Sequence, residues 1–292
     1  MARSDLVERI CRYADAKAVP HTPFETDIKG LSIVRCTRPT ALEGMIYKPL
    51  LCLVLQGAKE SFLGNRSVRF GEGQSLIVSL DLPTVSRVTV AGPDRPYVAI
   101  ALELDIALIR GLAAEIREME PVTGDQKAIA VGTADALLEE AMARLFNLVD
   151  NPMEQRILLS QHRREVHFRL LQARHGEMLR HLGQLDSHAS RIARTISRIR
   201  ADLTVPVRVN ELSEIAGMSV SSFHEHFKAV TATTPLRYQK DLRLLEARQR
   251  LTSSKRPVTE IAYEVGYESP TQFSREYVRK FGISPNRDRV VT

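Results

Sequence analysis

A helix-turn-helix pattern is written twice between residues 207 and 285, and it constrains the fold more than any other feature of the chain. In the first copy, apolar residues at helical spacing lead to Gly217 and resume at Phe223. In the second copy, Gly266 and Phe273 stand in the same relation. Because a glycine with positive φ ends a helix sharply, each copy predicts two short helices that cross at a turn. Two such patterns in register are much rarer by chance than one.

Polar and proline residues mark where each second helix begins and ends. Ser219 and Ser269 are predicted N-caps, and Pro270 suits a first helical position, where its missing N–H has no intrahelical partner. Each copy is followed by a hydroxyl residue and a proline, at Pro235 and Pro285. The two copies are therefore predicted to be complete modules of the same kind.

Residues 209–289 resemble the DNA-binding domain of the AraC/XylS family of transcription regulators. The stretches that carry the resemblance are Met218–Lys228, Pro235–Lys240, Leu242–Arg248, Val265–Ser269 and Phe273–Tyr277. Two positions depart from the family pattern. Ser213 stands where alanine is usual, and Ala232 stands where a glycine often ends the first recognition helix. An alanine with positive φ at that end would carry strain on the order of 1 kcal/mol.

The resemblance implies that exposed residues of the two second helices read DNA. Glu225 can accept from a cytosine amino group, and His224 can donate to a guanine. Arg275 can bind a guanine bidentately, although an ion pair with Glu276 or Asp241, or a phosphate contact, is the alternative. The implied DNA-contacting set is Val220, Ser221, His224, Glu225, Lys228, Pro270, Thr271, Gln272, Ser274 and Arg275.

The segment 236–251 reads as one rigid helix that joins the two modules. If both recognition helices enter the major groove on one face of DNA, they lie about one helical turn, roughly 34 Å, apart. Bending of the DNA would let both dock.

Bulk properties fit a multidomain protein with a polyanionic partner. The chain has 292 residues and a net charge of +6, and residues 200–292 hold 15 Lys and Arg against 11 Asp and Glu. No apolar run is long enough to cross a bilayer, and the start of the sequence lacks a secretory signal, so we expect a cytoplasmic location without membrane contact. Three cysteines without metal-like spacing fit reduced thiols.

Short β-rich runs occupy residues 31–103, and turn residues separate them. Gly64-Asn65 is a plausible two-residue hairpin turn, and the spacing is typical of an antiparallel sandwich or barrel. The predicted strands are Leu31–Cys36, Leu50–Gln56, Ser61–Leu63, Ser67–Phe70, Ser75–Val78, Thr84–Val90 and Tyr97–Glu103.

Residues 22–120 resemble the cupin-like amino-terminal domain of one branch of AraC-type regulators. The resemblance lies in Tyr47-Lys-Pro, Cys52–Lys59, Asp81-Leu-Pro83 and Pro96-Tyr97. Enzymatic cupins hold a metal with two or three histidines and a glutamate, whereas His21 is the only histidine before residue 160. No metal, cofactor or catalytic residue is therefore expected, and a cupin-type enzyme is the weaker alternative.

Helical spacing returns after the β-rich region. The stretch 133–149 carries an apolar seam that could join two subunits or pack on the sandwich of its own chain. The seam residues are Leu138, Ala141, Leu145 and Leu148. Five histidines follow at positions that share no i, i+3 or i+4 spacing, which argues for packing or solvated roles rather than metal binding: His162, His167, His175, His181 and His188.

Arginines near the hairpin turn suggest one candidate effector site. Asn65-Arg-Ser67 with Gly71 is similar to the asparagine-x-serine part of the PilZ cyclic-dinucleotide motif, with the arginine pair one residue closer and the glycine one residue later. Four guanidinium groups on one sheet could hold an anion such as cyclic di-GMP. A solvated strand face, or a small apolar or aldehyde effector sensed by Cys36 or Cys52, are the alternatives. The candidate residues are Arg35, Arg38, Asn65, Arg66, Ser67 and Arg69.

The sequence therefore predicts an α+β chain with a cupin-like β-sandwich, central helices and an all-α domain with two helix-turn-helix motifs. The expected segments are 1–20 (a tail or helix), 21–125 (effector domain), 126–200 (dimerisation and linker helices) and 201–292 (DNA binding). We expect an effector-controlled, homodimeric regulator, an activator in contact with RNA polymerase, bound to double-stranded promoter DNA. A non-specific architectural DNA-binding protein is the main alternative.

Overall fold

The fold was obtained as a computed structural model, which describes residues 3–19, 23–64, 66–116, 127–183, 187–254 and 256–291. It opens with helix α1 (Arg3–Ala16), whose apolar stripe Leu6, Ile10 and Tyr13 is buried. The stripe packs on the outer face of a β-sheet, as its spacing of three and four residues requires.

The described residues form ten antiparallel strands in two facing sheets, which confirms the predicted antiparallel sandwich. One sheet has six strands in the order β1-β2-β9-β4-β7-β10, and the other has four in the order β3-β8-β5-β6. The strands are β1 (Phe24–Glu25), β2 (Leu31–Cys36), β3 (Glu43–Tyr47), β4 (Leu50–Gln56), β5 (Ala58–Leu63), β6 (Arg66–Gly71), β7 (Gln74–Val78), β8 (Leu82–Val90), β9 (Tyr97–Glu103) and β10 (Ile129–Thr133).

The β-hairpin between β5 and β6 has the predicted connection. Leu63 lies opposite Arg66 in the antiparallel register, and Gly64 has φ 56°. Asn65 itself lies outside the described residues. Strand β10 was not predicted: it pairs with β7 and falls inside the segment 126–200 that was expected to be helical.

Among the described residues, five helices, one 3-10 turn and strand β10 lie between β9 and the carboxyl-terminal region. In helix α4 (Pro152–Gln172), His167 is fully buried and its Nε2 accepts from the Asp105 N–H at 2.9 Å. The elements are α2 (Ile106–Glu115), α3 (Ala136–Asn147), α4 (Pro152–Gln172), the turn Arg174–Gly176, α5 (Glu177–Gly183) and α6 (His188–Ala201).

The apolar seam on α3 faces the interior of its own chain. Its residues are between 0 and 2 % exposed, so they cannot form a free surface for a second subunit, and the dimerisation role given to them is wrong. They pack because α3 lies against α4 on one side and against α1 on the other, where Tyr13 and Phe146 meet edge to face. The four buried seam residues are Leu138, Ala141, Leu145 and Leu148.

The carboxyl-terminal region contains six helices among its described residues, arranged as two helix-turn-helix modules around a long connecting helix. The helices are α7 (Val209–Ala216), α8 (Val220–Thr231), α9 (Pro235–Ser253), α10 (Val258–Glu264), α11 (Pro270–Phe281) and α12 (Pro285–Val291). The predicted duplication is thus present, with α9 as the rigid link.

The two modules differ in how they join the rest of the molecule. Phe223 and Phe227 of α8 belong to one continuous apolar core with the sandwich and the central helices. Phe273 and Tyr277 of α11 belong to a second, separate core. No helix among the described residues is long and apolar enough to span a membrane.

Candidate nucleic-acid interface

The first turn has the predicted helix end and helix start. Gly217 follows α7 with φ 61°, and its N–H donates to the Glu214 carbonyl at 2.9 Å. Ser219 begins α8, and its Oγ accepts from the Ser222 N–H at 3.3 Å. A left-handed glycine followed two residues later by a serine cap aims α8 away from α7, which exposes its outer face.

The second turn repeats this geometry. Gly266 has φ 90°, Ser269 Oγ accepts from the Gln272 N–H at 3.3 Å, and Pro270 takes the first helical position. Tyr267 is buried between the helices and its hydroxyl donates to Glu276 Oε2 at 2.9 Å. Both recognition helices are therefore fixed at their amino ends, where base contacts are made.

Ala232 ends α8 in the left-handed region with φ 58°, as its place in the sequence suggested. An alanine in this conformation carries strain on the order of 1 kcal/mol. Thr231 Oγ1 offsets part of this cost, because it accepts from the Thr233 N–H at 3.4 Å and donates to the Phe227 carbonyl at 2.7 Å.

The outer face of α8 is free of the protein core. Phe223, Phe227 and Val230 fill the inner face, and they are at most 1 % exposed. The opposite face consists of residues that are all exposed, which is the placement that DNA reading requires: Val220, Ser221, His224, Glu225 and Lys228.

The outer face of α11 presents Arg275 without a competing carboxylate. Thr271, Gln272 and Arg275 are exposed, and Pro270 and Ser274 are half-buried. The two acids considered as partners for Arg275 are engaged elsewhere. Glu276 binds Lys240 at 2.8 Å, and Asp241 binds Lys280 at 2.6 Å. No described residue forms an ion pair with Arg275, so its guanidinium is available to a base or a phosphate.

These ion pairs fix the second module to the connecting helix α9. Burial opposes ionisation of Glu276, but hydrogen bonds from Lys240 and Tyr267 outweigh it and lower the pKa of Glu276. At the other end of α11, Asp288 binds Arg248 at 2.8 Å and the Tyr277 hydroxyl at 2.7 Å. Partly buried pairs of this kind restrict the orientation of α11 more than they add stability.

Helix α9 also holds the segment before the first module and the sandwich. Gln239 Nε2 donates to the Val205 carbonyl at 2.6 Å, and Arg243 Nε donates to the Leu203 carbonyl at 2.6 Å. The buried Tyr238 hydroxyl donates to the Asp81 carbonyl of the sandwich at 2.5 Å. Tyr238 and Asp81 each lie in a stretch that carries the family resemblance, but neither stretch indicates that the two residues are in contact.

A backbone contact joins the sandwich to the end of the first recognition helix. The Ala128 N–H donates to the Val230 carbonyl at 3.1 Å, and Gly64 packs against Ala232 so closely that a β-carbon there would lie 2.5 Å from the Ala232 oxygen. The sequence did not predict this contact, because main-chain N–H and C=O groups are the same in nearly all residue types.

The predicted arginine cluster does not form. Arg35 is on β2 of the six-stranded sheet, where it donates to Asp15 of α1 at 2.7 Å, whereas Arg66 and Arg69 are on β6 of the other sheet. Arg66 and Arg69 also lie three residues apart on one strand and so point to opposite faces. Arg69 binds Glu60 at 2.7 Å.

The other described residues of the predicted effector site do not join these arginines in one cluster. Arg38 lies beyond the end of β2, and Ser67 is exposed on β6. The expectation that four guanidinium groups gather on one sheet is therefore wrong, and the cyclic-dinucleotide site loses its basis.

The two candidate sensor thiols are buried in the sandwich. Cys36 is 1 % and Cys52 is 8 % exposed. Burial raises the pKa of both thiols, so the unreactive thiol form predominates at neutral pH. This environment does not favour a thiolate that attacks an electrophile.

Two family models match separate parts of the chain. The AraC-type transcriptional regulator N-terminus matches residues 27–178, and a helix-turn-helix domain family matches residues 212–289. The first match runs from β2 to the start of α5, so β10 and α2 to α4 belong to the same family unit as strands β2 to β9.

Curated relatives are transcription activators. The RCS-specific HTH-type transcriptional activator RclR of Escherichia coli K12 is 30 % identical over 177 residues, which cover 60 % of this chain and 55 % of that protein. The HTH-type transcriptional activator RhaS of Escherichia coli O139:H28 is 33 % identical over 101 residues, which cover 35 % of this chain and 36 % of that protein. The matched regions thus span about half or less of these relatives.

Solved structures share the architecture over most of the chain. ToxT of Vibrio cholerae O395, in complex with (E)-4-(8-methylnaphthalen-1-yl)but-3-enoic acid, has a TM-score of 0.61 and 11 % identity, with 89 % of this chain and 97 % of that chain covered. ToxT of Vibrio cholerae SCE256 with a bound unsaturated fatty acid has a TM-score of 0.59 and 8 % identity, with 89 % and 94 % covered. With both family matches and this fold in place, the chain belongs to the AraC family of transcription regulators.

Proposed function

We propose that this protein is a sequence-specific DNA-binding transcription activator that works in the cytoplasm. The observation that carries the proposal is the pair of recognition helices, α8 and α11, each capped at its amino end and each with an exposed, uncommitted polar face. Glu225, His224 and Arg275 supply acceptor and donor groups that can distinguish bases in the major groove. The activator role is supported by the names of the curated relatives.

We further propose that a small-molecule effector bound to the sandwich controls DNA binding. The support is the direct contact of the sandwich with the first module, through Ala128 and Val230, and with the connecting helix α9, through Asp81 and Tyr238. A ligand that shifts the sandwich strands would be felt at α8 and α9 without a hinge between them. Homodimerisation and contact with RNA polymerase belong to the same proposal.

Competition binding tests specific recognition. The full chain is bound to labelled promoter DNA at physiological salt, and unlabelled promoter DNA or random DNA of equal length is added. A specific regulator should require at least about a thousandfold more random DNA for the same displacement. Equal displacement by both competitors would instead identify a non-specific architectural protein.

A further inference from the structure

The carboxyl-terminal region repeats a unit of three helices and not only a pair. Helix α6 packs on α7 and α8, and α9 packs on α10 and α11. Arg191 of α6 donates to the Gly217 carbonyl at 3.2 Å. Correspondingly, Arg243 of α9 lies beside Gly266, where an added β-carbon would be 2.9 Å from its Nη2. Helices α6 and α9 therefore hold equivalent places in the two units.

An equivalent contact joins the first helix of each unit to its recognition helix. His188 and Lys240 each lie three residues before the arginine of their helix, and their partners His226 and Glu276 each lie seven residues after a serine N-cap. In the second unit Lys240 Nζ lies 2.8 Å from Glu276 Oε1. In the first unit the rings of His188 and His226 stack, with centroids 3.8 Å apart and planes inclined at 38°. The chain thus has an ion pair at one position and two imidazoles at its equivalent.

Acid affects these two contacts differently. Burial opposes ionisation of Glu276, but hydrogen bonds from Lys240 and Tyr267 lower its pKa, so the ion pair persists in mild acid. Imidazole instead gains its charge between pH 5 and pH 8 in ordinary surroundings. Two protonated rings in contact repel each other, because each positive charge disfavours the other. The first unit therefore contains a contact that acid weakens, and its equivalent in the second unit resists acid.

The surroundings of His188 favour its neutral form. Desolvation, the His226 ring and the Arg191 guanidinium lower the pKa of His188 below its usual 6.5, in that order of importance. His188 is exposed and His226 is half-buried, so protons can reach both rings. The neutral stack is therefore favoured at neutral pH, and it is lost as the pH falls through the lowered pKa of His188.

None of the described acids forms an ion pair with either ring. The charges that act on His188 within the described part of the chain are those of His226 and Arg191, and both are positive when protonated. No third histidine, cysteine or carboxylate among the described residues completes a metal site with the two rings. Asp186 lies outside the described residues. A second protonation of the pair is thus opposed by repulsion, and no described acid offsets it.

The helices packed against α6 and α8 carry further ionisable groups, which are the same in every protein compared below. On α9, Lys240 and Asp241 are paired with residues of α11. On α7, Glu211 binds Arg198 of α6 at 3.2 Å. The other groups are Glu177, Arg180 and His181 on α5, Glu214 on α7, and His224, Glu225 and Lys228 on the outer face of α8.

We propose that the stacked His188–His226 pair is an acid-sensitive contact, which weakens the hold of α6 on α8 as the pH falls and so impairs base reading by the first recognition helix. Helix α11 keeps its place because its equivalent contact is the Lys240–Glu276 ion pair. Base contacts require a recognition helix to be held within about 0.5 Å of its reading position, so a small displacement of α8 is sufficient. The effect on DNA rests on the proposed function, whereas the contact itself is measured apart from DNA.

Proton NMR of the imidazole rings in the full chain tests whether the two histidines titrate together. The His188 signal is assigned by its absence from His188→Gln. We expect the titration midpoint of His188 to rise in His226→Gln, because a second positive ring then no longer opposes its protonation. His162→Gln removes a histidine of α4, outside the pair, and should leave that midpoint unchanged. An equal midpoint in the native chain and in His226→Gln would overturn the proposal.

A double variant transfers the ion pair of the second unit to the first. Affinities for promoter DNA and for random DNA are measured at pH 7.5 and pH 5.5 in the native chain and in His188→Lys with His226→Glu. The ratio of the two affinities should fall about two- to fivefold more in the native chain, as expected for a contact between partly exposed charges. His162→Gln should retain the native response. An equal fall in the native chain and the double variant would overturn the proposal.

The NMR titration needs no DNA and does not depend on the double variant, so it decides the matter even if that variant does not fold. Coupled titration with equal affinity for promoter and random DNA would confirm the contact and refute the proposed function. Promoter specificity with independent titration of the two rings would refute this inference alone.

Discussion

Arg275 is the residue on which the DNA-reading hypothesis can be tested most directly. It is exposed on α11, and the neighbouring acids Glu276 and Asp241 are bound to lysines. We expect Arg275→Ala to weaken binding to the cognate site by about 1 to 3 kcal/mol and to relax preference at one base pair, because a bidentate guanine contact is lost. Fluorescence anisotropy with a set of single-base operator variants measures both effects. Equal losses on cognate and random DNA would assign Arg275 to a phosphate.

His167 gives the protein a predictable response to acid. It is fully buried, its Nε2 accepts from the Asp105 N–H at 2.9 Å, and its Nδ1 therefore donates to the Arg163 carbonyl at 2.7 Å. The ring is thus neutral, and desolvation lowers its pKa below 6.5 despite the hydrogen bond to Arg163. Protonation would remove the acceptor that Asp105 uses.

The sign of the effect follows from proton binding in the two states. Above pH 6.5 the folded and unfolded chains both hold neutral His167, so it adds no pH dependence. Below pH 6.5 the unfolded chain takes up a proton that the folded chain refuses, and stability falls. Urea unfolding should show a larger loss between pH 7.5 and pH 5.5 for the native protein than for His167→Gln. His175, whose pKa burial also lowers, is present in both proteins and cancels. Equal losses would show that His167 is not a source of the acid sensitivity.

At the scale of the element, helix α3 offers a matched pair of neighbouring leucines. Leu138 is fully buried, whereas Leu137 is 50 % exposed. Leu138→Asp would bury an unpartnered carboxylate, and we expect it to cost more than about 4 kcal/mol or to prevent folding. Leu137→Asp should change stability by about 0.5 kcal/mol or less. Circular dichroism melts, with light scattering for subunit number, compare the two variants. A native dimer that Leu138→Asp converts to a folded monomer would restore the subunit interface that the burial of this seam argues against.

A strand or helix could be predicted from the sequence where its own residues define both its apolar pattern and its two ends. Strands β2, β4 and β9 begin and end at the predicted residues, because their apolar runs are bounded by turn residues. The helix-turn-helix modules were predictable for the same reason, since a glycine, a serine cap and a proline act within one turn of the chain. Strand β10, with Gly132 and Thr133 in five residues, has too weak a pattern and gains its stability by pairing with β7.

Contacts between elements were not predictable in this way. Residue patterns do not state which sheet a strand joins, so Arg35 was placed with Arg66 although β2 and β6 lie in different sheets. An apolar seam likewise does not state whether its partner is the same chain or another, which explains the error on α3. The burial of Cys52 depends on which face of β4 is turned toward the interior, and only the assembled sandwich shows this.

At the scale of the whole molecule, the two recognition helices have unequal relations to the sandwich. The core of α8 is continuous with the sandwich core, whereas α11 has a core of its own, which meets the rest of the protein through α9 and at Phe281, beside Gly44 of β3. A change in the sandwich would therefore act most strongly on α8 and α9. The second module would follow through the Lys240–Glu276 and Lys280–Asp241 pairs that hold it to α9.

The rigid connection through α9 predicts how operator spacing affects binding. A helix of 19 residues is about 28 Å long, so the two recognition helices can reach successive major grooves but no farther. Insertion of five base pairs between the two contacted segments turns one of them to the opposite face of the DNA, and insertion of ten moves it one turn away. We expect both insertions to reduce affinity in a gel-shift titration to the level of a site that retains only one segment. A ten-base-pair insertion that restores full affinity would mean that the modules move independently, against the ion pairs that join α11 to α9.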